Sequence, residues 1–319
     1  MKKIILFSII SLQVFTACQQ LGLSKEEDDN TATIAALAVL NNSRSTSSTS
    51  QSCNSSTSTG STITTTSATL GTDCVNGVTT CIDSAMPSWI KDNFKCVVAY
   101  VSGTNYVFKT KNLPNTKSYY YTSYTGQTPS TTAPLYEALP AGNTKAGTNV
   151  IVSQTFTYTI PATPTTGSGT VSTQGGLASI GITTNGLAVF NNAAAPGDTL
   201  ATEATTFDNY MGHPQSSGVY HHHAGVPKVC SNTTSTSNSG ACNNNNKLIG
   251  IALDGYPIYS QKDANGNTPT LDTYHGTTGT TTEFPSGTYH YRYAYDSTAT
   301  IYTLMGSFFR GNIGSITSN

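Results

Sequence analysis

The chain has 319 residues, a net charge of −1 and only 10% charged residues. That length allows one large domain or two ordinary ones, and a near-neutral balance without a basic stripe argues against a nucleic-acid partner. Eighteen tyrosines, abundant threonine and few helix-favouring charged runs point to β-structure.

In chain order, "MKKIILFSIISLQVFTACQQ" starts with the basic pair Lys2 and Lys3. A short apolar stretch from Ile4 to Val14 follows, and the small residues Thr16 and Ala17 precede Cys18. This is a secretory signal pattern, too short to span a bilayer as a stable helix. A cysteine directly after small residues resembles a bacterial lipobox, with Phe15 where leucine is usual. The resemblance implies removal of residues 1–17, lipidation of Cys18 and a membrane anchor through that residue. Gln19 is not the aspartate associated with inner-membrane retention, so the outer membrane or cell surface is the expected location.

Residues 18–72 read as a disordered tether. They hold "KEEDDN", one possible short helix in "TATIAALAVLNN", and a long Ser/Thr run that cannot bury enough apolar surface to fold. Export places the cysteines in an oxidising compartment. Beyond Cys18, six remain: Cys53, Cys74, Cys81, Cys96, Cys230 and Cys242. An even number there suggests three disulfides. Cys230 and Cys242 bracket the polar loop "SNTTSTSNSGA", and a bridge between them is the first pairing expected. No C-x-x-C occurs, which argues against a thiolate zinc site.

Residues 73–319 are expected to form a single all-β domain. "PSWIKDNF" suggests a helical turn, and "CVVAYVSGTNYVFKT" two strands around a glycine turn. "SQTFTYTIPATP" alternates Phe156, Tyr158 and Ile160 on one face. "ASIGITTNGLAVFN" and "KLIGIALDGYPIYS" each read as strand, tight turn, strand, with Asn185-Gly186 and Asp254-Gly255 as hairpin signals. These two segments also match each other at an offset of 69, Ile180 against Ile249. Downstream, both carry Asp, then Tyr two residues later, then Gly, and finally Gly-x-Tyr-His. The chain therefore contains two copies of one unit, near 179–223 and 248–292, and a pseudo-twofold pairing should bring equivalent ends together.

The histidines carry the chemistry. Residues i and i+2 of a strand share a face, so His221 and His223 project together while His222 points away. His213, across a Pro-containing turn, can return to that face. His290 is the second copy's equivalent of His221. If the copies face each other, His213, His221, His223 and His290 converge on one divalent metal, zinc or copper above all. Asp208 and Asp272, in equivalent places, would be ligands or acceptors that fix the histidine tautomers. Glu283 could act as a base beside such a site, although an exposed loop charge is the simpler reading. A strand carrying amphipathic rings on both faces would give the same letters without any metal.

The Tyr-His-His-His and Tyr-His-Tyr-Arg endings, together with "LIGIALDGYPIY", "LDTYHG" and "FPSGTYHY", resemble the bacterial YHYH domain, over about residues 95–312. The resemblance implies a secreted β-rich domain, often in lipoproteins, and brings no established activity. The chain departs from the pattern at His222, where the family has Tyr, and at Arg292, where the last His belongs. His275 precedes Gly276 and Thr277 follows it, and Thr116 stands where His is expected. The second half-site thus reads as partly lost. The function expected is divalent metal binding by a surface lipoprotein. A metal-dependent hydrolase, or a non-metal adhesin or structural module using its tyrosines, are the alternatives.

Overall fold

The computed structural model describes residues 74–75, 78, 80–121, 135–169, 171–172, 179–226, 229, 246–303 and 306–318. The signal and tether, the Cys18 lipidation site and the Cys230–Cys242 pair all lie outside these residues. Those described belong to one unit, Ser50–Asn319.

The elements run β1 (Cys81–Ile82), α1 (Ser88–Lys91), β2 (Val98–Ser102), β3 (Asn105–Thr110), β4 (Phe156–Pro161), β5 (Gly181–Thr183), β6 (Ala188–Val189) and α2 (Leu200–Ala204). Then come β7 (His213–Pro214), β8 (Tyr220–His222), β9 (Leu248–Ala252), β10 (Pro257–Tyr259), β11 (Gly276–Gly279), β12 (Thr288–Arg292), β13 (Ala294–Asp296), β14 (Ile301–Thr303) and β15 (Ser315–Ser318). The protein is nearly all β, as its composition suggests. The helical turn and the β2–β3, β5–β6 and β9–β10 hairpins fall where the sequence patterns place them. Gly186 and Gly255 hold φ of 81° and 87°, the left-handed backbone that a tight hairpin turn needs and that glycine adopts without steric cost.

One sheet has five strands in the order β1-β2-β3-β4-β15, a second has eight in the order β11-β12-β10-β9-β5-β6-β8-β7, and β13 and β14 pair alone. Both large sheets contribute to one buried cluster, with Phe108, Tyr158 and Ile160 from the first and Ile182, Ile251 and Ile258 from the second. A disulfide joins Cys74 to Cys96, and Cys81 is also disulfide-bonded.

The eight-stranded sheet displays the repeat. Each copy is a hairpin whose second strand pairs in parallel with the inner strand of an antiparallel ribbon: β6 with β8, then β8 with β7; β10 with β12, then β12 with β11. The copies meet at β5 and β9, which run antiparallel with Gly181 opposite Ala252, Ile182 opposite Ile251 and Thr183 opposite Gly250. Ile182 therefore faces its own equivalent, and a pseudo-twofold axis passes between them. The consequence reverses the expected arrangement. Antiparallel pairing at the centre lays each copy outward, so β8 and β12 stand five inter-strand steps apart. At about 4.8 Å per step that is roughly 24 Å. Equivalent ends are separated, not brought together.

The Ile-Gly-Ile centre of each copy follows from this contact. A Cβ at Gly181 would lie 2.5 Å from the backbone oxygen of Ile251, and one at Gly250 would lie 2.2 Å from that of Ile182. Backbone cannot step aside as a side chain can. Gly250→Ala should therefore lower unfolding free energy by about 3 kcal/mol, the upper part of the overpacking range, in denaturant titration. A loss within about 0.5 kcal/mol would contradict the close approach.

Candidate metal centre

The first copy's outer ribbon builds the site. His213 on β7 pairs with His221 on β8, and strand alternation returns His223 to the same face. Asn112 pins β8 to the hairpin: its side-chain amide donates to Tyr220 O at 2.8 Å, and its Oδ1 accepts from Ala188 N at 2.8 Å. All three histidines are buried. Phe190 stacks on His221 with ring centroids 3.9 Å apart, and Phe207 meets His213 edge-on at 4.9 Å. His222 points away, its Nδ1 3.0 Å from Met211 O.

Hydrogen-bond partners assign the tautomers. His221 Nδ1 is 3.0 Å from Val219 O, and His223 Nδ1 is 2.7 Å from Asn191 O. Carbonyls only accept, so both Nδ1 atoms carry the proton. His213 Nδ1 is 2.7 Å from Thr206 Oγ1. The Thr206 hydroxyl gives its own proton to Glu203 O at 2.7 Å and so accepts from His213 as well. All three Nε2 atoms are then left as bare lone pairs. Two of them, on His221 and His223, face each other at 2.9 Å, and His213 Nε2 has no partner. One ring nitrogen from each histidine lies within 4.8 Å of the others.

Glu203 extends the set. Thr199 caps α2 by accepting from Thr202 N at 3.1 Å, and the short helix that follows carries Glu203 to the site. Its Oε1 accepts from Ala195 N at 2.9 Å. Its Oε2 lies 3.1 Å from His223 Nε2 but has no donor, because that nitrogen holds no proton in this tautomer. An imidazolium does not resolve the contact. Burial holds His213 and His221 well below the ordinary histidine range and lowers His223 to about 4, so all are neutral near pH 7. Burial also raises Glu203 above the usual carboxylate value. Among the described residues, three neutral nitrogen acceptors and a carboxyl oxygen meet with no donor side chain between them. Ligands each about 2 Å from one ion lie about 3 Å apart, the spacing seen between His221 and His223. The residues therefore fit a divalent ion. A cleft of about 360 Å³ opens over them, with Glu203 and Thr206 in its wall.

The other expected site residues lie elsewhere. His290 sits on β12 at the far end of the sheet, where its Nε2 accepts from Arg292 Nε at 2.9 Å, so the four-histidine convergence does not form. Asp208 is neither a ligand nor a tautomer-fixing acceptor. Its carboxylate accepts from Tyr220 OH at 2.9 and 3.0 Å, from Ser118 Oγ at 2.6 Å and from two backbone amides. Asp272 serves Tyr289 in the same way, at 3.0 Å to both oxygens. The acids thus anchor the tyrosine of each Gly-x-Tyr-His motif, while two backbone carbonyls and Thr206 orient the histidines. Glu283 accepts from Tyr259 OH at 2.6 Å. Sequence reasoning assigned no role to Thr206, Asn191 or Glu203. Their roles depend on where α2 and the β6 exit place them, and no local pattern announces that.

Fold and site together define a β-rich domain with a buried three-histidine candidate metal centre. The model of the YHYH protein family matches residues 157–269, and the chain carries a YHYH domain. The match takes in the whole first copy and the hairpin of the second. No curated protein and no solved structure matches the chain.

Burial also makes the stability of the domain pH-sensitive. His222 is lowered from 6.5 to about 4, so its neutral ring contributes stability that is complete above 6.5 and lost as the pH falls toward 4. Asp208 and Asp254, raised from 3.8 to about 6, act oppositely: their share is complete below 3.8 and lost as the pH rises through 6. In chelator, His222→Tyr should therefore lose thermal stability less steeply than the parent on acidification from 6.5 to 4. Parallel Tm profiles would contradict this.

Proposed function

We propose that the domain binds one divalent transition-metal ion through His213, His221 and His223, zinc or copper fitting the imidazole donors best. The observation that carries this reading is the convergence of three buried Nε2 lone pairs whose protons are held on the opposite ring nitrogens. Backbone and hydroxyl acceptors behind the ligands are a usual feature of metal-binding histidines. Calorimetric titration of the full chain with zinc should give one site. His213→Ala, His221→Ala and His223→Ala should each weaken it by about 100-fold or more, since even outer partners are worth about 10–100-fold. His222→Tyr should leave affinity within about threefold. Equal zinc affinity in all four variants would reject the site.

The sequence also supports export and anchoring of the mature chain through a lipid on Cys18, with the outer membrane or cell surface as its location. Mass spectrometry of the native N-terminus should find a diacylglyceryl-modified Cys18. Cleavage elsewhere, or an unmodified cysteine, would refute the anchor.

The cleft above the histidines, with Glu203 in its wall, favours a hydrolytic use over an adhesive one. A bound ion would supply Lewis acidity, and the Glu203 carboxylate would take a proton from the incoming water. Of the tyrosines an adhesive face would need, Tyr120, Tyr158, Tyr220, Tyr259, Tyr291 and Tyr293 are buried, and among the described residues Tyr295 alone is exposed. With zinc present, the protein should turn over activated esters or phosphoesters, and Glu203→Gln should abolish turnover while leaving zinc affinity within about tenfold. No turnover across both substrate classes would remove this reading and leave binding intact.

A further inference from the structure

The second copy repeats the tyrosine and histidine contacts of the first. Asp272 holds Tyr289 as Asp208 holds Tyr220. His290 Nδ1 is 3.0 Å from Thr288 O, as His221 Nδ1 is 3.0 Å from Val219 O. The carbonyl accepts in both, so His290 too presents a bare Nε2. The registers pair Thr277 with His290 as they pair His213 with His221. Arg292 then stands where the first copy has His223.

What meets the bare nitrogen differs. In the first copy His221 Nε2 faces another acceptor at 2.9 Å. In the second, Arg292 Nε donates to His290 Nε2 at 2.9 Å. The same guanidinium donates from Nη1 to Ser260 O at 2.9 Å and Lys262 O at 2.6 Å, and from Nη2 to Asn246 Oδ1 at 2.9 Å. Ser260 is the second copy's counterpart of Asn191, at the offset of 69, whose carbonyl receives the His223 ring. Arg292 is 1% exposed and has all its near acceptors supplied by the chain.

We infer that the Arg292 guanidinium is a covalently tethered substitute for a metal ion in the second copy, and that the ion of the first copy stands in the corresponding place and joins the two strands of its own outer ribbon, β7 and β8. The inference rests on the metal reading of the first site. It goes beyond it by giving the ion a structural role and by identifying a second, self-filled site. The protein would thus bind one ion per chain although its fold repeats the site twice.

Reciprocal exchange tests this on the full chain, with zinc alone as the probe. Thr277→His/Arg292→His opens the second copy, and His213→Thr/His223→Arg closes the first. The opened protein should bind two zinc ions per chain, and its Tm should be restored by zinc. The closed protein should bind none and should melt in chelator close to zinc-loaded wild type. An opened protein that folds and still binds one ion, or that stays unfolded at saturating zinc, overturns the inference. So does a closed protein that melts below chelated wild type. If wild type binds no zinc, the first-site reading alone falls. Uptake of one ion by the opened protein then still supports the substitution, and uptake of none overturns it.

Discussion

The antiparallel contact between β5 and β9 sets everything else. It requires two glycines, because Gly181 and Gly250 each lie against the other strand's backbone. It places Ile182 on Ile251 and turns two similar segments into one eight-stranded sheet. By directing the copies outward, it also decides that each keeps its own outer ribbon and its own histidine face. The two histidine faces therefore lie toward opposite ends of the sheet and not across one interface.

Within each copy the same devices recur because the same problem recurs. A short ribbon at a sheet edge has little core of its own, so buried polar contacts hold it. A carboxylate takes the tyrosine hydroxyl, and a carbonyl takes the histidine Nδ1 proton. Such contacts are stabilising only when every member is satisfied. Arg292, still cationic near pH 7 although burial lowers it to about 10, completes the second copy. In the first copy His213 Nε2 and Glu203 Oε2 have no hydrogen-bond partner among the described residues, and a bound cation would complete it.

Much of this was legible in the sequence. The Asn185-Gly186 and Asp254-Gly255 turns, the alternation that separates His222 from its neighbours, and the equivalence of the two copies all follow from short-range pattern. The placement of His290 does not. A repeat specifies equivalence, but whether copies face inward or outward depends on which strands pair at the centre, a contact between residues 69 positions apart. The aspartates misled for a different reason. A carboxylate near histidines reads as a ligand or its support, yet Tyr220 and Tyr289 lie closer in the fold and take both oxygens. Glu203 and Thr206 escaped because their position follows from the Thr199 cap and the single turn of α2, a geometry without sequence periodicity.

In the proposed centre His213, His221 and His223 present unprotonated Nε2 atoms to a common ion. Long-range proton–nitrogen NMR of the imidazoles in the full chain reads this directly. In chelator at pH 7, all three rings should carry the proton on Nδ1, and one equivalent of zinc should shift all three Nε2 signals together while His290 stays fixed. An Nε2–H tautomer at any of the three, or three signals indifferent to zinc, would contradict the account.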